Sequence, residues 1–326
     1  VGGLNEPNQI LDMGNSGTAV RLLIGLVGTQ PFSTTFTGDV SLNKRPMERV
    51  MGPLRQMGAQ FTSRSGGRLP ITVNGNKLIK PIEYVLPVAS AQVKSAILFA
   101  GLNAPGKTTI IEPQPTRDHS ERMLRQFGAE VITKKLGGGG IKTTLVGQPE
   151  LEGCNITVPA DISSAAFPIA AALIIPGSNL LIRNVGMNPL RAGLIEILKK
   201  MGGKITIASE RSENGEPLAD LRVESSELHG INVPALHAPS MIGEYPVLAI
   251  IAASAKGTTH MEGLSELRVK ESDRLAAIAT GLASCGVDIE EAENSLTVHG
   301  SKLPINGGAL ITANLDHRIA MAFSVL

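Results

Sequence analysis

Apolar and polar positions along this 326-residue chain fall into a long repeat. Four stretches share one pattern: 17–37, 90–111, 163–183 and 243–261. Each opens on small or polar residues and runs about three helical turns of Ala, Leu, Ile and Val. Each then meets a glycine and enters a short β-branched stretch. The starts at 17, 90, 163 and 243 lie 73, 73 and 80 residues apart, and a fifth start, at Asp316, follows after another 73. A second helix recurs inside each period, at 50–57, 123–127, 194–201 and 275–285, with Gly58, Gly128, Gly202 and Gly286 directly behind it. Glycine just past a helix supplies the left-handed cap. Alternation beyond it, as in Ile205-Thr206-Ile207 and Leu296-Thr297-Val298, predicts strands. One unit therefore reads helix, strand, helix and a pair of strands.

A period near 73 residues is long for a solenoid. We expect an α/β protein of two globular domains, each closing three units around a core. The boundary is expected near residues 158–160, giving domains 1–159 and 160–326. The chain then holds four whole units and the start of another, so material is expected to be missing at both ends.

Composition narrows the function. Lys and Arg number 30 against 29 Asp and Glu, and no run of five like charges occurs, which argues against a nucleic-acid partner. Aromatic residues make up only 3% and Trp is absent, so base-stacking platforms are not expected. No apolar run is long enough to span a bilayer, and 247–255 reads as a buried helix. Cys154 and Cys285 are too few and too far apart for a disulfide framework or a zinc site. No membrane or nucleic-acid partner is expected, and the cytoplasm is the default compartment.

The segment 101–108, Gly-Leu-Asn-Ala-Pro-Gly-Lys-Thr, matches the Walker A spacing. A true P-loop leaves a strand and enters a helix, so that its amides face phosphate. Here the helix precedes and the strand follows, so the match is a decoy. Ala255-Lys256-Gly257-Thr258 occupies the same slot in another unit. Gly137 to Gly140 lie between strand-like runs and read as a hairpin loop.

Helix starts are the better anion sites. Asn15-Ser16-Gly17-Thr18-Ala19-Val20-Arg21 opens one helix, and Ser90-Ala91-Gln92 opens the next. Small residues admit a ligand to the backbone amides, and the helix dipole favours negative charge there. Basic clusters fall at related junctions: Lys44-Arg45, Arg117-Asp118-His119, Arg268 with Lys270-Glu271 and Asp273-Arg274, and Asp316-His317-Arg318. Lys270 and Arg274, four apart, are expected on one helix face, with Glu271 one step round. Two cations and a carboxylate at a helix start can bind a phosphorylated acid and move a proton. A solvated, well-capped helix would carry the same residues.

At these segments, together with Lys44-Arg45-Pro46-Met47 and 267–274, the chain resembles the 5-enolpyruvylshikimate-3-phosphate synthases. The wording is closest to the bacterial branch known for glyphosate-tolerant members. The resemblance implies a two-domain enolpyruvyl transferase fold of repeated βαβαββ units, with inside-out, barrel-like α/β domains. It implies transfer of enolpyruvyl from phosphoenolpyruvate to the 5-hydroxyl of shikimate 3-phosphate, without a cofactor and with closure on substrate. Carried over by motif, Ser90, Ala91, Gln92, Arg117 and Lys270 hold shikimate 3-phosphate. Gly17, Arg45, Gln92, Arg274 and Arg318 surround phosphoenolpyruvate, and Glu271 is the acid–base group. Gly17 leaves room for glyphosate, because tolerance in the family follows a methyl-bearing residue at this position.

Three departures go with the resemblance. The family's N-terminal Lys-Ser segment and its C-terminal tail have no counterpart here. The family also carries an Asp, assigned as base for the substrate hydroxyl, where this chain has Gly243. Glu244 is adjacent, but inside a helix it would point about 100° away. Little or no turnover is therefore expected. Three alternatives stay open: the sister transferase acting on UDP-N-acetylglucosamine, a non-catalytic anion-binding module, and a fragment that works with a second chain. Cys154, read as preceding a strand, and Cys285, late in a helix, do not suit the sister enzyme's loop thiolate.

Overall fold

The computed structural model describes residues 3–300, 305 and 307–326. The chain divides into two compact units, Val1–Asn155 and Ile156–Leu326. In the first, one repeat runs β1 (Leu11–Asp12), α1 (Gly17–Val27), β2 (Ser33–Thr37), α2 (Glu48–Met57), β3 (Gln60–Arg64) and β4 (Arg68–Asn74). The next runs β5 (Glu83–Val85), α3 (Ala91–Gly101), β6 (Lys107–Glu112), α4 (His119–Gln126), β7 (Val131–Lys135) and β8 (Ile141–Val146). Both form four-stranded sheets of the same order, β1-β2-β4-β3 and β5-β6-β8-β7. The leading strand pairs parallel and the others antiparallel.

The second unit opens with α5 (Ile162–Ile174), β9 (Asn179–Gly186), α6 (Gly193–Lys200), β10 (Lys204–Glu213) and β11 (Glu216–Glu224). It continues with β12 (Asn232–Val233), α7 (Ala238–Met241), α8 (Tyr245–Ser254), β13 (Gly257–Glu262), α9 (Arg274–Ser284), β14 (Asp288–Glu291), β15 (Ser295–Gly300) and α10 (His317–Phe323). Its sheets are β12-β13-β15-β14 and β10-β11-β9, the latter with a single parallel bridge, Ala160 to Val185, in the place of a leading strand. Strands β10 and β11, ten and nine residues long, exceed β3 and β4 at five and seven. They account for much of the longer step of 80.

The periodicity becomes packing through the first helix of each repeat. Helix α8 is buried at every residue from Tyr245 to Ala253, and α3 at eight of its eleven residues. A helix apolar all round belongs in a core. Helices α1 and α3 approach so closely that a Cβ on Gly25 would stand 2.3 Å from the Ala96 carbonyl oxygen. The second helices keep one wet face: α2 buries Val50, Met51, Leu54 and Met57 and exposes its charges. Gly58, Gly128, Gly202 and Gly286 all take positive φ behind them, as the capping pattern requires. Each unit has its own apolar cluster, one spanning Val20 to Leu145 and the other Ile162 to Ala322. Among the described residues no single helix is long and apolar enough to cross a membrane.

Segment 101–108 holds the end of α3 and the start of β6, the reverse of a P-loop. Gly137–Gly139 forms a tight turn between β7 and β8. The expected strand after Cys154 is not formed, because residues 151–158 run exposed and without ladder partners up to the bridge at Ala160.

Candidate functional site

In the first unit two helix starts meet. Ser16 caps α1 by accepting from Ala19 N at 3.2 Å, and Ser90 caps α3 by accepting from Val93 N at 3.4 Å. Gln92 joins the two: its Oε1 accepts from Arg21 at 2.7 Å and its Nε2 donates to Thr18 Oγ1 at 2.7 Å. Arg45 donates to Asn15 Oδ1 at 2.9 Å and to Ser41 Oγ at 3.3 Å. Gly17 lies beside both guanidiniums, and a Cβ there would stand 3.0 Å from Arg45 Nη1 and 3.1 Å from Arg21 Nη1. The absence of a side chain at 17 thus leaves two cations facing a helix start, an arrangement suited to a small anion. Ala91 is the first residue of α3, and Arg117 lies in the loop between β6 and α4.

In the second unit Glu244 is the hub. It is 1% exposed, yet it pairs with Arg191 through both oxygens and with Arg318 Nη1 at 3.0 Å, and it accepts from Ser163 Oγ at 2.6 Å. Arg318 also donates to the Gly243 carbonyl at 2.9 Å and to Ser163 Oγ at 3.1 Å. Burial pushes the Glu244 pKa up. The Arg191 hydrogen bond, the charges of Arg191 and Arg318 and the Ser163 hydroxyl together outweigh this and hold it below the ordinary 4.5.

A second pair lies beside it. Arg274, 3% exposed, donates from Nε to Asp316 at 2.7 Å and pairs with Glu271. Asp316, fully buried, also caps α10 through Arg318 N at 3.0 Å and accepts from Ser272 at 3.1 Å. Burial raises the Asp316 pKa, but the Arg274 hydrogen bond and charge, the Arg318 amide and the Ser272 hydroxyl together outweigh this and leave it below 3.8.

Two expectations are corrected here. Lys270 and Arg274 do not share a helix face. Helix α9 begins at Arg274 with Asp273 as its cap, accepting from Ala276 N at 3.0 Å, so Lys270 and Glu271 lie in the bend before it. Lys270 instead faces Glu266 at 3.9 Å. Nor does Glu244 point away from the neighbourhood of Gly243. It sits in the turn between α7 and α8, ahead of the helix, so the 100° rule for helical neighbours does not apply to it.

The sequence reading passed over Arg191, Ser163 and Glu244 as contact residues, and Arg21 as a partner of Gln92. Arg191 had a usable signal. Arg45, Arg117, Arg191 and Arg274 all lie just before, or begin, the second helix of a repeat, and only the third was left out. Glu244 had none, since its partners come from other repeats.

Comparison with known proteins agrees with this architecture. A family model described as EPSP synthase (3-phosphoshikimate 1-carboxyvinyltransferase) matches residues 1–326. A 3-phosphoshikimate 1-carboxyvinyltransferase of Paramagnetospirillum magneticum is 59% identical over 326 residues, covering all of this chain and 73% of that protein. The protein of that name from Rhodospirillum rubrum is 57% identical, with all of this chain and 72% of the relative covered. The solved structure of EPSP synthase from Acinetobacter baumannii superimposes with a TM-score of 0.83 at 49% identity, covering 98% of this chain and 72% of that one. On its full-length match and these identities, the chain belongs to the EPSP synthase family, the 3-phosphoshikimate 1-carboxyvinyltransferases.

Proposed function

We propose that this chain binds shikimate 3-phosphate and phosphoenolpyruvate and is built for enolpyruvyl transfer between them. The observation that carries the reading is Gly17 at the start of α1, flanked by the Arg21 and Arg45 guanidiniums and tied through Gln92 to the start of α3. Two forked cations against a helix start match a phosphate or carboxylate group. Ser90, Ala91, Gln92, Arg117 and Lys270 are assigned to shikimate 3-phosphate. Gly17, Arg45, Gln92, Arg274 and Arg318 are assigned to phosphoenolpyruvate. Glyphosate, a small anion, would compete in the same place.

The chemistry follows from charge. Glu271 gives a proton to carbon 3 of phosphoenolpyruvate while the 5-hydroxyl oxygen of the acceptor bonds to carbon 2. The tetrahedral adduct then loses phosphate, and Glu271 takes a proton back from carbon 3, restoring the double bond. Arginines fixed beforehand stabilise the charge on the departing phosphate. Gly243 offers no side-chain base, so the hydroxyl proton must leave to solvent water. Glu244, held ionised by two arginines, is too weak a base to replace one. We therefore propose strong binding with slow turnover.

A second reading, a binding protein without turnover, is favoured by Gly243 alone. Two unpaired thiols, Cys154 and Cys285, suit the reducing cytoplasm, where we place this protein as a monomer. Calorimetry with shikimate 3-phosphate followed by phosphate-release kinetics tests both readings. Failure to bind either substrate refutes the assignment. Binding with no detectable release favours the second reading, and release at an ordinary enzymatic rate overturns the part given to Gly243.

A further inference from the structure

Just behind the residues assigned to the phosphorylated acceptor, α3 carries a buried cation that the reaction does not use. Lys94 is one turn after Ser90 and 1% exposed. Its ammonium donates to Glu112 Oε2 at 2.9 Å and to the Thr116 carbonyl at 3.4 Å, and it pairs with Glu121 Oε1 at 2.7 Å. Glu112 ends β6, Glu121 lies in the first turn of α4, and Thr116 stands in the loop joining them. The Thr116 hydroxyl donates to the other oxygen of Glu112. A hydrogen bond between Ser95 and Ser120, 2.7 Å long, ties α3 to α4 a second time.

One cation between two desolvated carboxylates leaves an excess negative charge, which is costly unless one carboxyl takes a proton. Glu121 is the carboxyl placed to take it. Burial raises its pKa against the pull of Lys94, and its Oε2 is buried without a hydrogen-bond partner among the described residues. Glu112 accepts from both Lys94 and Thr116, one on each oxygen. A proton on Glu121 would leave the cluster without excess charge.

Its consequence lies one residue further on. Both polar groups of Thr116, carbonyl and hydroxyl, are anchored to the cluster, and Arg117 follows directly. The peptide leading into Arg117 is thereby held against the same helix that presents Ser90, Ala91 and Gln92. We infer that Lys94, Glu112 and Thr116 are positioning residues that set Arg117 for the acceptor phosphate, with Glu121 completing the cluster around the Lys94 ammonium. The inference rests on the assignment of Arg117 to shikimate 3-phosphate.

Calorimetry on the whole chain with shikimate 3-phosphate tests it, with melting temperature measured in parallel. Thr116→Val keeps the shape and removes the hydroxyl, and should weaken binding by roughly tenfold, the scale of one hydrogen bond to a charged group. Thr116→Ser should restore it. A purely structural role would move melting and leave affinity alone. Glu112→Gln should cost at least three times more affinity than Glu121→Gln, which resembles the protonated carboxyl, so the test does not depend on the Val variant folding. Equal binding by the Val and Ser variants, or a greater loss in Glu121→Gln, overturns the inference while Arg117→Ala still weakens binding. If Arg117→Ala binds as tightly as the parent chain, the assignment of Arg117 fails and the inference falls with it.

Discussion

A Cβ added to Gly243 would stand 2.9 Å from Arg318 Nη1, against a flexible side-chain tip that can yield. Gly243→Asp is thus sterically accessible, and it supplies a carboxylate beside the guanidinium. Phosphate release should rise by about 10²-fold or more, the usual contribution of a positioned base; no increase would show that the missing base is not what limits this chain. Gly17→Ala presses a methyl onto Arg21 and Arg45, each about 3 Å away. Glyphosate affinity should fall about tenfold or more, within the range of a methyl in a filled pocket, and competition calorimetry would show it. Glu244→Gln leaves two partly buried guanidiniums short of charge and should cost about 3 kcal/mol, read by urea unfolding. The pH dependence follows from the same group. The folded-state pKa of Glu244 is lowered, so its stabilisation is complete above its ordinary 4.5 and is lost as pH falls through the folded value. Asp316 behaves alike from 3.8 downward. Acid unfolding of the second unit should shift to higher pH in Glu244→Gln only to the extent that the variant is already weaker at neutral pH, and its curve should be flatter between pH 5 and 3.

At the scale of elements, the proposed site residues gather at helix starts and not at helix ends. Ser16, Ser90, Asp161, Asp273 and Asp316 each cap a helix with a side-chain oxygen. These caps satisfy amides that would otherwise be orphaned. The Walker A look-alike shows the converse. Its glycines and Lys107 lie where α3 ends and β6 begins, so the helix presents carbonyls there and repels phosphate. Lys107→Ala should leave shikimate 3-phosphate binding unchanged, and equilibrium dialysis should find no saturable binding of ATP to the parent chain. ATP binding that Lys107→Ala removes would refute this reading. The bend holding Lys270 and Glu271 was misread as helix because its charges follow helical spacing, while the Asp273 cap decides where α9 begins.

At the scale of the whole molecule, two units with separate apolar clusters are joined by an exposed segment, residues 150–158, without regular structure. A glutamate-specific protease should cut first after Glu150 or Glu152 and release two fragments that resist further digestion, read by mass spectrometry. A first cut inside α3 or α8 would contradict two independent cores. The sequence by itself determined the repeat, the order of elements, the capping glycines and the helix starts proposed as anion sites. All of these are periodic or short-range properties of the chain, and they also carried the family resemblance. Only the tertiary structure decided which charges meet. Arg191 and Arg318 reach Ser163 from 28 and 155 residues away, and Glu244 takes both arginines as partners. Such pairings depend on how helix starts from different repeats pack together, and no local pattern encodes that.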